Sequence, residues 1–125
     1  MFGTKGHPKN KPPQGGAYRY VRHKKGGEVH HVPANDISPY NEKIGPTFWM
    51  RIRDHKNTPS WGRGGDEYRR KLKDVLDRKG FRKALEYDLK HTPQELIEKY
   101  KSGVDEMLAW ASFLEQFTLL CKKKR

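Results

Sequence analysis

The tightest constraint on this chain is the stretch Glu28 to Ala34, EVHHVPA, in which two adjacent imidazoles stand between apolar residues and the run stops on a proline. Neighbours on a regular strand point to opposite faces. His30 and His31 can therefore serve one site only where a strand ends or distorts, and Pro33 supplies such an end. A second polar stretch answers the first: Asp54-His55-Lys56-Asn57-Thr58 follows the apolar run Phe48 to Ile52. His30, His31, Asp54 and His55 are of the types that ligate a divalent metal or move a proton near neutral pH. A His pair alone is more often a structural or solvent-facing feature than a catalytic one; its combination with Asp54-His55 and the basic residues around them points to chemistry.

The 125 residues fit one domain, and a single core at this size buries roughly two thirds of the surface of the unfolded chain. Hydrophobic content is 33% against 34% charged, so the core is small and relies on well-formed helices or on an ion that ties loops together. Cys121, the one cysteine, excludes an internal disulfide and a four-cysteine zinc site, and suits a reducing compartment. No apolar run approaches the roughly 20 residues of a membrane span. The N-terminus has Lys, Pro and Gly where a signal peptide has its apolar region, so action outside the producing cell requires another carrier.

The net charge of +12 is unevenly spread. Residues 1–27 carry seven Lys or Arg and no acid, and residues 122–125 carry four more. Between them, residues 28–42 hold three acids and no base, residues 43–83 thirteen bases and five acids, and residues 84–121 three bases and seven acids. A basic belt thus directly follows the His pair and contains His55. That pattern suits an active centre laid on a polyanion, most often nucleic acid; the alternative is an ordinary solvated face.

Along the chain, residues 1–17 are rich in Gly, Pro and Lys and read as a flexible basic leader, with the domain proper over residues 18–125. Tyr18 to His23 alternates aromatic or branched with basic residues, Gly26-Gly27 offers a turn, and Glu28 to Val32 returns, which predicts a β-hairpin. Pro33 to Gly45 is a loop, long enough to imply that it shapes a site or is held by an ion. Thr47 to Arg53 is strand-like, and Asp54 is placed to cap a helix that starts at His55. Helical periodicity then runs from Asp66, ends or bends at Gly80, and continues from Phe81 to Lys90. Thr92-Pro93-Gln94-Glu95 has the form of a capping box opening a helix that runs to about Leu120. The fold class is α+β, with long C-terminal helices.

EVHHVPA followed by GPTFWMRIRDHKNTPSWG resembles the HNH/endonuclease VII class of nucleases, and specifically the toxin domains at the C-termini of bacterial polymorphic toxins. There a V-H-H-x-P-A element precedes a D-H-x-x-T-x-S-x-G element. The likeness covers Glu28 to Gly62, with similar amphipathic helices beyond. It implies a small treble-clef-like ββα-metal core that hydrolyses phosphodiester bonds of DNA with little sequence preference, in interbacterial competition. It further implies a parent secreted effector upstream, delivery into the cytoplasm of a target bacterium, and a cognate immunity protein. Carried over by residue, His30 is a metal ligand, His31 the general base and His55 a further ligand, while Asp54 either binds metal or caps the helix. Pro59 stands where the plain H-N-H pattern has its last His. That leaves the coordination sphere open, which favours Mg²⁺ over a closed zinc site, with Zn²⁺ or Mn²⁺ as alternatives.

An imidazole can accept a proton from water at neutral pH, and a divalent ion can stabilise the charge that develops on phosphate. Glu28 is read as a carboxylate behind a ligating imidazole or as an exposed strand residue, and Thr58 and Ser60 as phosphate contacts or local caps. Arg51, Arg53, Lys56, Arg63, Arg69 and Arg70 are the candidate phosphate grips. His7, His23 and His91 read as surface residues, and Trp49, Trp61 and Trp110 as core or platform residues rather than base-stacking ones. Two other readings stay open: a non-enzymatic nucleic-acid-binding module stapled by zinc, and a nuclease of the same fold acting on RNA.

Overall fold

The computed structural model describes residues 13–123, with side chains described to residue 118. It is an α+β protein: a three-stranded antiparallel sheet and five helices. The strands are β1 (Gly15–Ala17), β2 (Gly27–His31) and β3 (Pro46–Arg51), in the order β1-β3-β2. The helices are α1 (Ile52–His55), α2 (Asp66–Lys79), α3 (Phe81–His91), α4 (Gln94–Lys99) and α5 (Lys101–Lys123).

The central strand follows from composition. Thr47-Phe48-Trp49-Met50 is an unbroken run without the alternation of a half-solvated strand, and it is buried throughout. A strand covered on both faces reads in this way, and the middle of the sheet is where both faces can be covered. Phe48 and Met50 anchor the main core with Val32, Leu85, Met107 and Ala111. A second cluster, Ala34, Ile37, Leu72 and Ala84, sits where α2 and α3 meet the loop behind β2. Each fully buried large apolar side chain stabilises the fold by about 1.5–3 kcal/mol relative to exposure.

Strand pairing corrects the expected hairpin. Glu28 to His31 does not pair with Tyr18 to His23; it pairs with β3, His30 lying opposite Phe48 and His31 opposite Thr47. Tyr18–Tyr20 forms a single 3-10 turn, and the backbone N–H groups of Tyr18 and Arg19 donate to the carbonyls of Gly45 and Lys43. The apolar β3 needs a partner on each edge, and that demand outweighs the local hairpin signal. The turn is still made, at Gly26, whose φ is 89°.

The leader boundary also moves. Gly15–Ala17, assigned to a flexible leader, is the buried edge strand β1, paired with β3. Gly15 lets α5 approach: a Cβ there would stand 1.9 Å from the carbonyl oxygen of Gly103. Ser102-Gly103, which interrupts the apolar pattern of the last helix, is thus the point where helix meets strand. Residues 1–12 of the leader, with Lys5, His7, Lys9 and Lys11, lie outside the described residues, as do the side chains of residues 122–125.

Three helix boundaries differ from expectation. Helix α1 begins at Ile52 with Arg51 as its N-cap, so Asp54 lies inside the helix and His55 at its last position. Asp54 therefore does not cap. The Thr92 hydroxyl donates back to the carbonyl of Asp88, closing α3, so the reciprocal box with Glu95 does not form and Pro93 takes the cap position of α4. Tyr100 separates α4 from α5 in what periodicity presents as one helix. Gly80, at φ 93°, ends α2. Among the described residues no helix is long and apolar enough to cross a membrane.

Candidate active site

The two polar stretches meet. Strand β2 ends at His31, before the cis Val32–Pro33 bond, and α1 follows β3 directly, so the chain runs strand, loop, strand, helix around one cleft. That cleft, about 240 Å³, is lined by His30, His31, His55, Asn35, Asp36, Ser60, Trp61 and Arg69. An adjoining groove shares His31 and His55 and adds Glu28, Tyr18, His23 and Glu42.

His30 is buried, edge-on to Phe48, and its ring centroid stands 5.0 Å from that of His55. Its Nε2 has no hydrogen-bond partner among the described residues. Burial, with His55 and His31 adding to it, pushes the pKa of His30 down to about 3. A neutral imidazole nitrogen buried without a partner is costly, and such a nitrogen suits a ligand.

His31 is fixed differently. It stacks on Tyr18 with centroids 4.9 Å apart, and its Nε2 lies 3.0 Å from the carbonyl oxygen of Glu42. A carbonyl only accepts, so Nε2 carries the hydrogen and Nδ1 the lone pair. Burial is the main cause that holds the His31 pKa below its ordinary value, and the Glu42 carbonyl opposes it. The loop from Pro33 to Gly45 positions that carbonyl. It is pinned in turn by Trp110, whose indole donates to Ile44 at 2.7 Å, and by Tyr40, whose hydroxyl meets Thr118.

At the end of α1, His55 lies 2.6 Å from Glu28 through its Nδ1. The carboxylate accepts, so Nδ1 carries a hydrogen, and in the neutral ring Nε2 is the atom with the lone pair. Glu28, read from the sequence as either a carboxylate behind an imidazole or an exposed residue, is half-exposed and does hold this ring.

Asp54 is not brought into the cleft. Its carboxylate accepts from Lys99 Nζ at 2.9 Å and from the hydroxyl of Tyr100, on the α4–α5 junction. Those two bonds, Lys99 first, hold its pKa below the ordinary carboxylate value. Asp54 is thus engaged outside the cleft, and among the described residues no three His, Cys, Asp or Glu side chains converge as a ligand set.

The expected phosphate grips divide. Arg51, Arg53, Lys56 and Arg63 are exposed and form no ion pair with a described residue. Arg70 is exposed along a separate groove between α2 and α3, beside Glu67, Asp74 and Tyr87. Arg69 lines the cleft but is already occupied: its guanidinium donates to the carbonyls of Ser60 and Gly62 and to Asp66, and its Nε stands 3.4 Å from Asp36. It is a clamp on the 60–62 backbone. The Thr58 hydroxyl donates to the His55 carbonyl at 2.7 Å, the local cap, while Ser60 is buried in the cleft wall.

Of the remaining aromatic and His residues, Trp49 is buried and donates to Lys24, and His91 is exposed and stacked on Tyr87. His23 is exposed, edge-on to Tyr18. Tyr18, Asn35, Asp36 and the Glu42 carbonyl are site features that no motif marks. The length of the 33–45 loop was the one available signal for the last three. Comparison with protein-family models, with curated proteins and with solved structures finds no match.

Proposed function

We propose that this domain is a metal-dependent nuclease of the ββα-metal type, in which His31 is the general base and His30 and His55 hold the ion. The observation that carries the reading is the convergence of these three imidazoles in one cleft, each with a distinct state: His30 Nε2 buried without a partner, His31 tied to a backbone carbonyl, His55 tied to Glu28.

Two nitrogens, Nε2 of His30 and Nε2 of His55, are the donors that fit an ion, and the remaining positions fall to water and phosphate oxygens. With Asp54 engaged by Lys99, the donor set is imidazole rather than carboxylate, which favours Zn²⁺ over the Mg²⁺ expected from sequence. When bound, the ion supplies Lewis-acid stabilisation of the phosphate and of the leaving oxygen. The chain supplies the rest. Nδ1 of His31 takes the proton from the attacking water, and the Glu42 carbonyl keeps Nε2 protonated so that Nδ1 remains the basic atom. Glu28 fixes the His55 ring and its orientation toward a ligand. Arg51, Arg53, Lys56 and Arg63 attract the polyanion without reading its sequence.

The proposed setting is that of an effector's toxin domain: attached to a larger secreted protein, delivered into a target bacterium, neutralised in the producer by an immunity protein, and acting on DNA. RNA is the alternative substrate. The test incubates the purified domain with plasmid, linear DNA and RNA, with EDTA or with added Zn²⁺, Mg²⁺ or Mn²⁺. Metal-dependent cleavage that EDTA stops is expected. Intact nucleic acid under every metal condition overturns the proposal.

A further inference from the structure

We infer that Trp61 is a stacking platform for an unpaired nucleobase beside the scissile phosphate, which makes single-stranded nucleic acid the preferred substrate. The inference rests on the nuclease reading for the identity of the polymer. It comes from a mismatch between how firmly the Trp61 backbone is held and how little its side chain is used by the fold. The ring is 42% exposed, belongs to neither core cluster, and among the described residues has no other aromatic ring against it. Of the large exposed apolar residues, Tyr20, Ile52, Phe113 and Phe117 lie away from the cleft, whereas Trp61 lines it with the three imidazoles.

The backbone around this ring is built. Arg69 grips the carbonyls of Ser60 and Gly62, the residues on either side of Trp61, and is itself held by Asp36 and Asp66. The Trp61 N–H donates to Thr58, and Gly62 follows at φ 67°, a conformation that glycine adopts without strain. Lys56 Nζ lies over the ring, 5.7 Å from its centroid, and Arg63 is exposed two residues on. An exposed aromatic ring with cations against it beside a reactive centre is the arrangement that holds a base by stacking and its phosphates by charge. A paired base has both faces already stacked within the duplex, so the platform selects nucleotides that are unpaired.

The test uses the His31→Ala protein, which leaves its substrate intact, and three fluorescent DNA probes: a single strand, the same sequence as a duplex, and a single strand of abasic sugar-phosphate. Trp61→Ala in that background is expected to weaken single-strand binding by about 10-fold or more, the loss typical of one stacked base. Duplex and abasic binding should stay within about twofold, since neither presents a free base. Trp61→Phe should retain most of the single-strand affinity. Equal losses on all three probes, no loss on any, or the same loss for Trp61→Phe as for Trp61→Ala each overturn the platform. Cleavage by the wild-type protein is measured in parallel. Selective loss with no cleavage by the wild type sinks the nuclease reading and leaves the platform standing; cleavage with no Trp61 effect does the reverse. Failure of the wild type to bind any probe overturns both.

Discussion

Glu28 on β2 and His55 at the end of α1 are joined by a 2.6 Å hydrogen bond that spans 27 residues of sequence. The bond fixes the ring from its Nδ1 side and leaves Nε2 as the atom able to bind a ligand. If that nitrogen holds an ion, the carboxylate behind it matters nearly as much as the ring. Glu28→Ala should weaken Zn²⁺ binding by about 10- to 100-fold in calorimetry, the usual loss when such a partner is removed. Asp54→Asn is the contrast. It should lower the melting temperature by loosening α1 from Lys99 and Tyr100, yet leave metal affinity unchanged. A drop in affinity for Asp54→Asn would return Asp54 to the ligand set.

The phosphate grips should separate by their present partners. Lys56→Ala and Arg63→Ala should each lower the slope of log affinity against log salt by about one, since each removes one free cation. Arg70→Ala should change little, because Arg70 lies in the α2–α3 groove. For Arg69 even Lys is a poor substitute: an ammonium cannot grip two carbonyls and two carboxylates in the way a guanidinium fork does. Arg69→Lys should therefore impair turnover while leaving the salt slope near that of the wild type. Filter-binding titrations over a salt series separate these outcomes.

A pH effect on stability is centred on Asp88, far in sequence from the cleft histidines His30, His31 and His55. This carboxyl is fully buried on α3, accepts from the Tyr68 hydroxyl, and has one oxygen without a hydrogen-bond partner among the described residues. Burial raises its pKa to about 6, and the Tyr68 bond opposes the rise. A folded-state value above the unfolded 3.8 means that folding favours the protonated acid. Its contribution is full below about pH 3.8 and is lost as pH rises through about 6. The stability of the wild type relative to Asp88→Asn should accordingly be greater at pH 4.5 than at pH 7.5, by about 2 kcal/mol. Denaturant melts of both proteins at the two pH values give this difference directly; equal differences would mean that Asp88 does not titrate in this range.

Burial of His30 acts in the opposite sense. With its folded pKa down at about 3, its contribution is present above the ordinary 6.5 and is lost as pH falls below that. The two groups therefore pull the acid limb of stability in opposite directions, and only the comparison with Asp88→Asn isolates one of them.

How much of this was legible in the residues depends on the range of each interaction. The α+β class, the helices over Asp66–Lys79 and Phe81–His91, and the turn at Gly26 are local, and periodicity or a glycine marks them. The meeting of His30, His31 and His55 needed only that a strand end at Pro33 and that a second element return. The pairing of β2 with β3 instead of with Tyr18–His23 was hidden, because a nearby hairpin and a distant partner offer the same alternation to the strand. Asp54 was misread for a similar reason. A carboxylate before a helix looks like a cap, and its true partners, Lys99 and Tyr100, lie 45 and 46 residues away. Arg69 looked like one more cation in a basic belt. Only its four partners, one of them the carbonyl of the residue before Trp61, distinguish a clamp from a phosphate grip.

The central claim is that Nδ1 of His31 takes a proton from water beside an ion held by His30 and His55. The most direct measurement is the single-turnover rate of cleavage of an end-labelled DNA strand by wild type and His31→Ala, with bound Zn²⁺ quantified in the same samples. The account predicts that His31→Ala cuts about 10²- to 10⁴-fold more slowly, the range of a general base, at unchanged metal content and an unchanged melting temperature. A His31→Ala protein that cuts as fast as the wild type, or one that is slow only because it has lost its metal, would contradict it.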